Sequence, residues 1–191
     1  GCGLTGASYG PLLAPGTKTY NHFMEMFETG STLDNSLSLS GGTERSSFYL
    51  SLGNTNQDGY IIGPNDKYVR TTALVKGTLE LNEKLRIGAT VNFANTSGSF
   101  IQKGSNLSGL LLGALRTSPE FDNRKYIDSA TGLHRSYRYP RPTATSQYRS
   151  RRYDNPYFIV YNMKNTSDVG RSFGNVNIDY TPLSWLTLKY T

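Results

Sequence analysis

Alternation of apolar and polar positions is the dominant signal in this chain. It is first clear in residues 33–52, where Leu37-Ser38-Leu39-Ser40 leads through Gly41-Gly42-Thr43-Glu44-Arg45 into Phe48-Tyr49-Leu50-Ser51-Leu52. A period of two puts aliphatic and aromatic side chains on one face of a strand and small polar ones on the other. The spacing predicts a tight β-hairpin, with Gly41 and Gly42 supplying the positive backbone angles of its turn. A second hairpin is expected where the turn-forming stretches 54–59 and 63–66 bracket Tyr60-Ile61-Ile62. A long strand follows, with Val69, Ala73, Val75, Leu79 and Leu81 on one face and Arg70, Thr72, Lys76, Thr78 and Glu80 on the other. Leu74 is its one exception. Asn82-Glu83 then turns the chain into Leu85, Ile87, Ala89, Val91 and Phe93, interleaved with Arg86, Gly88, Thr90 and Asn92. Alternation returns as Gly174, Val176, Ile178 and Tyr180 against Asn175, Asn177, Asp179 and Thr181, before a turn at 181–184 and a last strand from Trp185.

Two stretches break the pattern. Residues 1–32 lack a sustained period and read as a loop with a short helix over 22–28, ended by Gly30. Residues 96–171 carry only two short apolar runs, at 110–115 and 157–161. Taken in order, the joins between strands run short, medium, short, very long, short. So long a stretch without regular alternation is hard to place inside a compact soluble domain. In a membrane barrel, short turns gather at the periplasmic side and long loops outside. The expected fold class is therefore all-β: an antiparallel meander of about six strands, with one long extracellular loop. Six strands do not close a membrane barrel, so on this reading the meander is a segment of a larger one. A soluble antiparallel sandwich with one wet face writes the same alternation and is the competing architecture.

Composition fits either. Apolar residues make up 36%, yet 14 Tyr and 8 Phe in 191 residues are too many aromatics for a disordered chain. No apolar run is long enough for a spanning helix, but a spanning strand needs only about 9 to 11 residues. Cys2 is the single cysteine, which rules out an internal disulfide and a cysteine-based metal site. With no apolar segment upstream to make Gly1-Cys2 a lipoprotein processing site, Cys2 reads as an incidental small residue. The chain stops inside a strand pattern at Lys189-Tyr190-Thr191 and is expected to be a cropped piece. Net charge is +6, concentrated between Arg124 and Arg152, where eight Arg or Lys face only Asp128.

The order of several short motifs carries a resemblance. Tyr9-Gly10-Pro11-Leu12, Phe27-Glu28-Thr29-Gly30, the run Asn35 to Gly42, and Asn56-Gln57-Asp58-Gly59 come first; Arg116 to Asp122, Asp154-Asn155-Pro156-Tyr157 and Thr181 to Leu186 follow. In that order they resemble TonB-dependent transporters of the SusC/RagA-like branch, over nearly the whole chain. The resemblance implies a 22-stranded outer-membrane barrel with an N-terminal plug. Such a barrel imports glycan or peptide fragments with energy supplied through TonB, beneath a SusD-like surface lipoprotein. This chain would be a partial barrel domain without the plug: 1–32 the end of an extracellular loop, 33–95 hairpin strands, 96–171 a long extracellular loop and 172–191 hairpin strands. The implied location is the outer membrane of a Gram-negative bacterium, among lipopolysaccharide and membrane lipid. The chain departs from the family pattern at Ala14-Pro15, where a Leu-Asp pair often precedes the glycine.

No catalytic constellation is visible, and the chain does not read as an enzyme. His22 and His134 lie far apart, no Gly-x-Ser-x-Gly elbow occurs, and Gly41-Gly42 lacks the lysine and helix of a phosphate loop. No cofactor or metal is expected. The candidate contact residues are those of the long segment: Arg135, Tyr137, Arg138, Tyr139, Arg141, Tyr148, Arg149, Arg151, Arg152 and Tyr153. Alternating aromatics and guanidiniums stack on sugars or bases and pair with phosphate or carboxylate. The plain alternative is a solvated loop whose arginines neutralise lipopolysaccharide or keep it soluble. The rival function is a soluble basic β-domain that binds nucleic acid or polyanionic glycan through the same arginines, although nucleic acid is the weaker expectation.

Overall fold

The computed structural model describes residues 12–130, 132, 134–137 and 153–191. The chain divides into two compact units, Gly1–Phe27 with Gln102–Asn162, and Glu28–Ile101 with Met163–Thr191.

The second unit is a six-stranded antiparallel sheet whose strands lie side by side in chain order. They are β1 (Ser31–Gly42), β2 (Ser46–Asp58), β3 (Lys67–Asn82), β4 (Leu85–Ser99), β5 (Thr166–Leu183) and β6 (Leu186–Tyr190). The meander expected from the alternation is thus present, but its strands are longer than the alternation shows. β3 and β5 run 16 and 18 residues, against about five or six for a typical soluble strand. β4 reaches Ser99 and β5 starts at Thr166, where most residues on both faces are polar and the backbone pairing continues without alternation.

Register turns the linear pattern into two faces. One carries the rows Leu37–Leu52–Ala73–Phe93, Leu39–Leu50–Val75–Val91, Phe48–Gly77–Ala89–Val176 and Leu79–Ile87–Ile178–Tyr190. Nothing in the unit covers this face: Leu39 is 58% exposed, Val75 and Val91 53% each. The other carries Ser38–Ser51–Leu74–Asn92–Phe173, Ser40–Tyr49–Lys76–Thr90–Asn175 and Glu80–Arg86–Asp179–Lys189.

Two turn expectations are corrected. Gly41 and Gly42 are strand residues and lack positive φ, so they do not make the first turn. They serve a close approach instead: a Cβ on Gly41 would lie 2.9 Å from the Phe48 ring, and one on Gly42 would collide with the Ser46 carbonyl. The turn is Thr43–Arg45, closed by the Thr43 N–H on Ser46 O at 2.7 Å and by hydroxyl contact between the same residues at 2.9 Å. The second hairpin is present, but residues 54–58, expected to belong to its turn, are strand. β2 continues to Asp58, and 59–66 is one connection in which Asp66 accepts from Gly59 N–H (2.6 Å, carbonyl) and Ile61 N–H (3.2 Å, carboxylate), with Gly63 at φ 89.

The joins at 43–45, 83–84 and 184–185 lie at one end of the sheet, and 59–66 and the long connection leave from the other. Ser99 pairs with Thr166, and Phe100 N–H donates to Asn165 O at 2.8 Å, so the long connection departs from and returns to adjacent positions.

Among the described residues, the first unit contains a 3-10 turn at Met24–Met26 and two helices, α1 (Leu110–Leu115) and α2 (Pro156–Asn162). The expected helix over 22–28 shrinks to that single turn, whose first N–H is taken by Asn21 Oδ1 at 3.2 Å. The two apolar runs of the long segment are α1 and α2. Met26, Leu110, Ala114, Ile159 and Val160 form its core, joined by the buried polar residues His22, Asn123 and Asn155.

Candidate functional site

Asn155 organises the long connection. It precedes α2, and its Oδ1 accepts from Tyr157 N–H at 2.9 Å, while Pro156 occupies the first helical position, where a missing N–H costs nothing. Its Nδ2 donates to Asn123 O at 3.0 Å and to Arg135 O at 2.9 Å, and its backbone N–H donates to His134 Nε2 at 3.1 Å. At 1% exposure this is a fully satisfied buried amide tying three segments together. Since His134 Nε2 accepts, the ring proton sits on Nδ1, which faces Asp154 at 3.9 Å; the ring stacks on Phe158 with centroids 4.1 Å apart. His22 is held likewise: it donates to Ser118 O at 3.0 Å and accepts from the Asn123 amide at 3.2 Å.

Of the ten candidate contact residues, Arg135, Tyr137 and Tyr153 are described; Arg138, Tyr139, Arg141, Tyr148, Arg149, Arg151 and Arg152 lie outside the described residues. Arg135 is tied into the loop itself. Its Nη1 donates to Asp122 O and Lys125 O, both at 3.0 Å, and its guanidinium lies 4.0 Å over the Phe121 ring. Tyr137 meets the same Phe121 edge-on at 5.6 Å. Tyr137 and Tyr153 then come together in a narrow cleft with Arg116, Thr117, Ser136 and Asp154. Arg116, which sequence reasoning misses, lies 4.6 Å over the Tyr153 ring and donates through Nη1 to the carbonyl and side-chain oxygens of Asn106 at 3.1 and 3.0 Å. Its sequence signal is weak, since it stands outside the arginine-rich run.

The Arg124 guanidinium, 2.9 Å from Asp122 Oδ1, holds that carboxyl below the usual carboxylate range, and Asp122 in turn raises Arg124. Burial pushes the Tyr157 phenol up to about 12. Among the described residues no three His, Cys, Asp or Glu side chains converge where a metal ion could bind.

In the sheet unit, charge divides along the polar face. Near the short turns, Glu80, Arg86, Asp179 and Lys189 occupy one row with alternating sign, Glu80 and Arg86 3.9 Å apart. Farther along the same face, Arg70, Lys76 and Arg171 stand near Tyr49, Leu74 and Phe173.

An antiparallel meander with an uncovered apolar belt on one face and charge on the other, short turns at one end and long connections at the other, is in kind a segment of β-barrel wall. Its fold is similar to that of a solved chain of the RagAB peptide importer in its "closed-closed" state, with TM-score 0.60 at 23% identity. The match covers 90% of this chain and 18% of that one, so this chain spans under a fifth of the importer's length. No protein-family model and no curated protein sequence matches the chain.

Proposed function

We propose that the chain is part of an outer-membrane active transporter that imports glycan or peptide fragments with TonB-supplied energy, beneath a SusD-like surface lipoprotein. The observation that carries the reading is the apolar belt. Monomeric soluble proteins rarely expose a contiguous apolar patch of more than a few hundred Å². Here four consecutive rows of aliphatic and aromatic side chains cross the sheet uncovered. From Leu85 to Phe93 the belt takes up roughly the 9 to 11 strand residues that cross a hydrocarbon core. The likeness to a peptide importer supports the same reading at the level of fold. The polar face then lines the lumen, the turns at 43–45, 83–84 and 184–185 are periplasmic, and the long connection is extracellular. Tyr137 and Tyr153, with the arginines and tyrosines between them, touch substrate or the lipoprotein lid.

Fractionation of the intact protein tests this. It is expected in the outer-membrane fraction, resistant to salt and alkaline extraction, with peptide or oligosaccharide uptake that requires TonB. Recovery of the native protein in the soluble fraction, with salt-sensitive oligonucleotide binding, overturns it in favour of a basic binding domain. Deleting the long connection from an exported protein is expected to lower uptake or lid binding.

A further inference from the structure

Leu74 breaks the alternation of β3, and register shows what it joins. On the polar face, Leu74 pairs through Asn92 with Phe173, which is 64% exposed, and Tyr49 sits one position away opposite Lys76. Leu74, Phe173 and Tyr49 thus interrupt a face that is otherwise mainly Ser, Thr, Asn, Gly and charges, with Ala94, Val169 and Tyr68 lying farther toward the long connection. Three cations surround them: Lys76, Arg70 and Arg171. Among the described residues, the side chains of these three have no ion-paired or hydrogen-bonded partner. Asp34 is the one carboxylate on this part of the face, and β2 separates its strand from Arg70's. The contrast with the row Glu80–Arg86–Asp179–Lys189 is direct, because there every charge has an opposite neighbour in register. The face is therefore zoned into a self-neutralised end and a middle whose positive charge is unanswered.

We infer that this middle zone, Arg70, Lys76 and Arg171 around Leu74 and Phe173, is a contact surface for an acidic oligopeptide. The inference rests on the transport reading, in which this face lines the lumen. Three unpaired cations attract and orient an anion entering a water-filled passage. Leu74 and Phe173 offer it apolar surface, which aliphatic or aromatic peptide side chains fill. A charged sugar would find hydroxyls and amides at Ser51, Thr72, Thr90, Asn92 and Asn175 between the cations, but it would leave the aliphatic Leu74 side chain without an apolar partner. The zone runs ~20 Å along β3 from Arg70 to Lys76 and ~14 Å across from β2 to β5. An extended peptide of about six residues spans that length.

The test compares uptake, by the full-length transporter with its partners, of a peptide containing glutamate and leucine and of its glutamine counterpart. Wild type is expected to favour the glutamate peptide by about tenfold at low salt, with the ratio falling toward one as ionic strength rises. Arg70→Gln, Lys76→Gln and Arg171→Gln combined should abolish the preference at equal surface level, and Arg70→Lys with Arg171→Lys should retain it. The salt dependence is read on wild type alone, so it decides the matter even where the triple variant fails to reach the surface. Equal uptake of both peptides by wild type overturns the inference and leaves the transport reading standing, as does a preference unmoved by salt or by the triple variant. Competition by an acidic oligosaccharide but not by the acidic peptide also overturns it. Failure of every peptide and oligosaccharide to enter, with the protein absent from the outer membrane, removes the transport reading and the inference together.

Discussion

Replacing Asn155 by alanine should loosen the long connection far more than one buried amide suggests. Alanine removes the cap bond to Tyr157 N–H, worth about 1 kcal/mol. It also strips the carbonyls of Asn123 and Arg135 of their Nδ2 donor, and buried acceptors left unpaired cost at least ~1 kcal/mol each. The expected loss is therefore ~3–4 kcal/mol in the local opening of α2. The Ile159 amide reports that opening, because its N–H donates to Asn155 O at 3.1 Å within the first turn. In the intact protein its hydrogen-exchange protection should fall by a factor on the order of 100 to 1,000. Asn155→Ser keeps an oxygen for the cap and loses the two donated bonds, so it should recover about fivefold of that protection. A change below about threefold at Ile159, or a serine variant no better protected than alanine, would refute the assignment of Asn155 as the tie between these segments.

The belt predicts a strong asymmetry between neighbours on β4: Val91→Arg, on the apolar face, should cost ~2–4 kcal/mol of folding into a bilayer, while Thr90→Arg on the polar face should be tolerated. Heat-modifiable mobility after refolding into vesicles measures both, and equal effects would contradict the two-face assignment. Arg135→Met should lower loop stability by ~2 kcal/mol through loss of the bonds to Asp122 O and Lys125 O and of the Phe121 stack. Limited proteolysis should then show a more open loop, and reduced substrate binding with unchanged protection would mean that Arg135 acts on substrate directly. Because burial raises the Tyr157 phenol, its contribution to loop stability is present below the ordinary tyrosine pKa and is lost as pH rises from about 10 through about 12. Ultraviolet titration of wild type against Tyr157→Phe should remove one late tyrosinate step, and loss of an ordinary step instead would contradict it. Asp122 has the opposite sign: stability gained from Arg124 is present above the ordinary aspartate pKa and is lost as pH falls through the lowered value. Arg124→Gln should move the Asp122 carboxyl upward in an NMR titration.

The sheet was legible because period 2 is a local signal and each strand carries it independently. What the pattern missed has physical causes. β2, β4 and β5 extend past their alternation, since backbone ladders tolerate polar residues on both faces where neither face is apolar. Gly41 and Gly42 look like a turn in one dimension, whereas their absent side chains are needed within the strand, where the Phe48 ring and the Ser46 carbonyl come too close for a Cβ. Asn54 to Asp58 is made of turn-forming residue types, but its backbone stays paired with β3 in continuous register, and Asp66 closes the chain reversal only after it through two hydrogen bonds. In the long connection, an arginine-rich composition pointed to ligand contact without separating Arg135, whose guanidinium braces its own loop, from Arg116, which lies outside the run and reaches the cleft. Asn155 was visible only as one residue of a short motif, because its bonds reach residues 32 and 20 positions away.

Register does the remaining work, and it does so at a particular place. The pairing of β3 with β4 shifts between Glu80 and Asn82, and that of β5 with β6 between Tyr180 and Leu183, both at the short-turn end. Everything on the far side of those irregularities stays in phase, so Glu80, Arg86, Asp179 and Lys189 share one face while Leu79, Ile87, Ile178 and Tyr190 share the other. A slip of one residue anywhere within the ladder would exchange the faces, sending the charged row into the belt. Confining each shift to the turn lets the chain reverse tightly without that exchange. The unpaired middle zone depends on the same phase. Leu74 and Phe173 are exceptions to the pattern of their strands, and they meet on one face only because the register between β3 and β5 is continuous.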